Sequence, residues 1–102
     1  MERIKYFEKF MEVGREIKET VLNHVKAEIY VFGSVAKGEY STGLSDIDVA
    51  VVSDEFHERD KKLKVYDILL SKYFDSPLEL HLLTKRQWES LLKLVKEDYI
   101  KI

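Results

Sequence analysis

The chain has 102 residues and no cysteine, with 17 Lys plus Arg set against 19 Asp plus Glu for a net charge of −2. That length supports one core, so residues 1–102 are read as a single domain, and the near-neutral charge excludes broad electrostatic attachment to nucleic acid or an anionic membrane. No apolar run approaches a membrane span, and the opening MERIKYFEKF is charged and periodic where a secretory leader would be continuously apolar, so a cytoplasmic, disulfide-free protein is expected.

In the first segment Ile4, Phe7, Phe10 or Met11, Gly14, Ile17, Val21 and Val25 recur at steps of three and four with charges between them, which predicts one long amphipathic helix. AEIYVF, Ala27 to Phe32, is rich in β-branched and aromatic residues and stops at Gly33, so it reads as the first strand. Gly38, Ser41, Thr42 and Gly43 mark a loop, and DIDVAVVS is the second strand. Beyond Ser53 or Asp54, either a suitable N-cap, Phe56, Leu63, Tyr66, Leu70 and Tyr73 predict a second amphipathic helix. PLELHLL alternates as a strand does, with Pro77 tolerable at its start. Thr84 and Gln87 form a capping-box pair, and Trp88, Leu91, Leu92, Val95 and Tyr99 make the stripe of a last helix.

These elements place three acids together. Asp46 and Asp48 share one face of strand two because strand side chains alternate. The loop from strand one is too short for a helical crossover, so strands one and two are expected antiparallel, which brings Gly33 and Ser34 to the edge where the two Asp residues lie. The helical connection from strand two to strand three predicts a parallel pair, which delivers Glu79 to the same edge. The expected fold is therefore a small mixed α/β sheet of three strands packed by about four helices. Carboxylates this close repel unless a hard divalent cation such as Mg²⁺ neutralises them, and Mg²⁺ is commonly completed by substrate phosphates. Gly33 permits close backbone approach, Ser34 adds a hydroxyl at the start of a turn, and Lys37 stands one turn on. Metal-binding acids beside an anion-binding turn suit phosphoryl or nucleotidyl transfer.

Gly33, Ser34, Ala36, Lys37, Gly38, Ser45, Asp46 and Asp48, followed by an acid on a later strand, resemble the DNA polymerase beta-like nucleotidyltransferase superfamily, in particular its minimal (MNT) domains. The eleven residues from Val35 to Ser45 are one more than the usual spacing, an addition that falls in the GEYSTGLS loop, and Lys37 stands where the family commonly has Arg. The resemblance implies that Asp46, Asp48 and Glu79 hold two Mg²⁺ ions. It also implies that Gly33 and Ser34 hold the β- and γ-phosphates of an NTP, and that Glu79 helps deprotonate the attacking hydroxyl. The implied outcome is transfer of AMP from ATP to a hydroxyl acceptor, for which a HEPN-family partner, in an antitoxin-like pairing, is one candidate. A minimal domain also leaves apolar surface to cover, by such a partner or by a second copy of the chain.

The competing reading is an interaction module that acts by binding a helical partner. His81 shares the face of Glu79, though a half-buried strand histidine is the commoner meaning of that pattern. The lysines at 61, 62 and 64 read as a solvated helix face.

Overall fold

The computed structural model describes residues 3–39 and 45–102. Two helices, α1 (Arg3–Glu8) and α2 (Phe10–Leu22), lead into β1 (Glu28–Phe32), a single-turn α3 (Ser34–Lys37) and β2 (Ile47–Val52). A 3-10 turn (Asp54–His57) and α4 (Arg59–Tyr73) then connect to β3 (Leu78–Leu83), which is followed by α5 (Lys85–Val95) and β4 (Tyr99–Lys101). The expected loop at Ser41, Thr42 and Gly43 lies outside the described residues.

The strands form one mixed sheet in the order β3-β2-β1-β4. As expected, β1 and β2 are antiparallel and β2 and β3 parallel. Alternation gives the sheet two distinct faces. On one, Ile29, Val31, Ile47, Val49 and Val51 are buried with Phe7 of α1, Ile17 and Val21 of α2, and Val65 and Leu69 of α4. On the other, Tyr30, Phe32, Ala50 and Val52 pack against Trp88 of α5. Asp48, Glu79 and His81 alternate onto this second face, beyond the part α5 covers.

Three expectations are corrected. The single N-terminal helix is broken at Lys9 (φ −117, ψ 26), although its inward stripe of Phe7, Val13, Ile17 and Val21 is buried. The second amphipathic helix has a different inward face. Glu58 is extended (φ −85, ψ 112), which separates the 3-10 turn carrying Phe56 from α4 and resets the helical phase. Val65, Leu69 and Tyr73 then point inward, and Leu63, Tyr66 and Leu70 are left exposed. Tyr99 belongs to a strand. Lys96 takes a left-handed φ of 59 and ends α5, after which Tyr99–Lys101 adds a fourth strand antiparallel to β1.

The capping box at α5 forms as expected: the Gln87 amide donates to Thr84 Oγ1 at 3.3 Å and the Thr84 amide donates to Gln87 Oε1 at 2.9 Å. Thr84 is buried, so Thr84→Ala orphans a first-turn donor and is expected to cost about 1 kcal/mol, a loss that thermal unfolding would register as several degrees. Among the described residues no helix is long and apolar enough to cross a membrane.

Candidate active site

The site begins where β1 ends. Gly33 sits at φ 81, ψ −147, a backbone region closed to residues with a Cβ. Its amide donates to the Asp98 carbonyl at 3.1 Å, and its carbonyl accepts from the Lys37 amide at 3.1 Å, which opens the single turn of α3. Gly38, left-handed at φ 75, closes that turn. Ser34, Val35 and Ala36 form the first turn, where position alone deprives backbone N–H groups of intrahelical acceptors.

Register brings the acids to this turn. Asp48 is paired with Phe32 on one side and with Glu79 on the other. Its Oδ2 lies so close to Gly33 that a Cβ there would come within 2.8 Å of it. Its Oδ1 is 3.2 Å from His81 Nε2, which is in turn 4.0 Å from Glu79 Oε1. Asp48, Glu79 and His81 each offer a ligand atom within 4.8 Å of the others, and among the described residues they form the single group of this kind. Asp46 lies just before β2, exposed, and is not one of the three. Of the three acids expected to converge, the structure brings Asp48 and Glu79 together, with Asp48 against Gly33, and adds a histidine.

Lys37 is half exposed and pairs with Asp98 Oδ2 at 3.4 Å, so it faces the C-terminal segment as well as the turn. An exposed pair of this kind is worth about 0–1 kcal/mol, little enough for an incoming anion to displace. A groove of about 360 Å³ runs beside the turn, lined by Phe32, Gly33, Ser34, Lys37, Leu94 and Asp98. A larger cavity of about 550 Å³ opens at the opposite edge of the sheet between Lys26, Glu28, Ser53 and Lys85, away from the acids.

His81 rests on aromatic support. Its ring is 5.2 Å from that of Phe32, Phe32 meets Trp88 edge-on at 5.6 Å, and Trp88 stacks on Tyr30 at 4.5 Å. The hydrogen bond to Asp48 raises the His81 pKa above the ordinary 6.5, partial burial opposes this, and the charges of Asp48 and Glu79 reinforce it. A raised pKa means that the contribution of the charged pair is complete below the ordinary value and fades as pH climbs through the folded one. In metal-free protein, ¹H–¹⁵N NMR should find His81 titrating above 6.5, and Asp48→Asn should bring it down.

His81 was legible only as a same-face neighbour of Glu79, because one histidine on a strand does not announce a contact with another strand. Asp98 gave no signal at all: it contributes a backbone carbonyl from a segment whose period still reads as helix.

Residues 12–102 match the family described as the nucleotidyltransferase domain. The chain belongs to that family. Every residue of the site lies inside the matched span, and the protein is accordingly a nucleotidyltransferase. Among solved structures, a protein provisionally designated a nucleotidyltransferase is similar at 47% identity and a TM-score of 0.76, over 86% of this chain and 95% of that one. A second such protein, from Sulfolobus solfataricus, has a TM-score of 0.64 at 22% identity and covers 97% of this chain and 84% of its own. A toxin-antitoxin structure with AMP-PNP shares the fold, at a TM-score of 0.58 and 22% identity over 86% of this chain and 70% of that one. No curated protein matches the chain.

Proposed function

We propose that this nucleotidyltransferase moves AMP from ATP to a hydroxyl acceptor on another protein, with Mg²⁺ held by Asp46, Asp48 and Glu79. The observation that carries the reading is the register Phe32, Asp48, Glu79, which pairs the two carboxylates, with Asp48 lying against Gly33. The donor set fits a divalent cation: facing carboxylates and an imidazole nitrogen lie within 4.8 Å of one another, at an edge where the absence of a Cβ on Gly33 leaves space. When bound, the cation neutralises the triphosphate and polarises the phosphoryl group under attack.

The chain's own residues supply the rest. Ser34 and the first-turn amides of α3 receive the β- and γ-phosphates, and Lys37 turns to them from Asp98. The groove walled by Phe32 and Leu94 takes the nucleoside. Glu79, the more exposed acid, accepts the proton as the acceptor oxygen bonds to the α-phosphorus and the bond to the bridging oxygen of the β-phosphate breaks, releasing pyrophosphate.

The acceptor is sought on a separate protein because a structure of similar fold is that of a toxin-antitoxin with AMP-PNP, and the HEPN-type helical protein that the family resemblance implies is the candidate. Titration calorimetry of Mg²⁺-ATP against wild type and the Asp46→Asn/Asp48→Asn double variant tests the site, and equal binding by both rejects it. Incubation with ATP, Mg²⁺ and the product of an adjacent gene, followed by mass spectrometry for an added AMP, tests the acceptor.

One observation favours a second reading, the interaction module. The exposed Leu63, Tyr66 and Leu70 of α4, with Phe74 just beyond its end, form a stripe suited to a helical partner. If the double variant binds and restrains such a partner as well as wild type does, contact is the function and the transfer site is incidental.

A further inference from the structure

We infer that His81 is itself a ligand of the divalent ion, which makes this a mixed nitrogen and oxygen site that prefers a first-row transition-metal ion such as Mn²⁺ to Mg²⁺. The inference rests on the metal-dependent reading above and adds a ligand and a metal preference to it.

The placement is built by the sheet. His81 stands opposite Ala50 in the parallel register, two residues on from Asp48 along the same face of β2, and its Nε2 reaches Asp48 Oδ1 directly. Phe32 backs the ring from β1, leaving Nε2 turned towards the carboxylates.

The distances suit shared coordination. Donors about 2.1 Å from one ion in adjacent octahedral positions lie about 3 Å apart. His81 Nε2 and Asp48 Oδ1 are already 3.2 Å apart, and Glu79, at 4.0 Å from the same nitrogen, has the most exposed side chain of the three and can close the remaining gap. Mg²⁺ favours an all-oxygen shell, whereas imidazole is a characteristic ligand of later divalent ions; Mn²⁺ accepts nitrogen while keeping the affinity for carboxylate and phosphate that this edge requires.

The test uses full-length protein loaded with Mn²⁺. Electron spin echo modulation should show ¹⁴N coupling to the bound ion in wild type and none in His81→Asn, whose amide can still hydrogen-bond Asp48 but is a poor ligand. By EPR and calorimetry, His81→Asn should lose at least about tenfold in Mn²⁺ affinity, while its Mg²⁺ affinity stays within about twofold of wild type. Wild-type protein that binds Mn²⁺ without ¹⁴N coupling overturns the inference, as does an equal loss of both ions, which would make His81 a positioning partner of Asp48. Wild-type protein that binds neither ion overturns the metal-dependent reading and this one with it. A cooperative thermal transition and unchanged circular dichroism in His81→Asn ensure that the comparison is between folded proteins.

Discussion

Gly33→Ala is expected to lower nucleotide transfer by about a hundredfold or more while leaving a folded, destabilised protein. Two costs coincide at this position. The backbone at φ 81, ψ −147 is strained for any residue with a side chain, by about 1–3 kcal/mol. The new methyl would also lie 2.8 Å from Asp48 Oδ2, so the carboxylate must move. Movement there pulls Oδ1 from its 3.2 Å contact with His81, and the site loses its most constrained acid. Thermal unfolding should show a fall of several degrees, and a transfer assay the much larger functional loss. Wild-type values in both would sink the argument that Gly33 and Asp48 are built around each other.

Trp88→Ala should have the largest effect on stability, about 3–5 kcal/mol. Trp88 is 5% exposed and joins the smaller core: it stacks on Tyr30 at 4.5 Å and meets Phe32 and Tyr99 edge-on at 5.6 and 5.9 Å. Removing the indole leaves a cavity between α5 and the sheet that the paired strands cannot collapse to fill. A small protein has about 5–15 kcal/mol in total, so urea denaturation should show a midpoint far below that of wild type. Trp88→Phe, which keeps an aromatic ring in place, should recover much of the loss. Phe32 is one contact from Trp88 and backs His81, so the alanine variant should also weaken metal binding in whatever fraction remains folded.

The acids were legible because their signal is local and periodic. Alternation in LELHLL sets Glu79 apart from its sequence neighbours, and a helix between two strands gives their parallel sense, so the shared edge is read from sequence, whereas the register that pairs Asp48 with Glu79 comes from the structure. The inward face of α4 was illegible because Leu63 and Leu70 are as apolar as Val65 and Leu69, and the phase depends on a break at Glu58 that no proline or glycine marks. β4 was hidden in a similar way. Tyr99 falls four residues after Val95 and continues the helical period, while the stop is made by Lys96 in a conformation its residue type rarely adopts. Asp46 and Lys37 match the family pattern by type and order, yet one stands outside the close trio and the other is engaged with Asp98.

The hydrogen bond from the Gly33 amide to the Asp98 carbonyl carries a consequence for how firmly the turn is held. It joins residues about sixty-five positions apart, and β4 beside it contributes only three residues to the sheet. The β1-β2 and β2-β3 pairings join nearer segments and form most of the sheet without it, so the turn at Gly33 gains this tether only when the segment after α5 docks. Loosening of that short edge strand would release the Gly33 amide while the other strands stay paired, so the order of the turn is tied to the least anchored strand of the sheet.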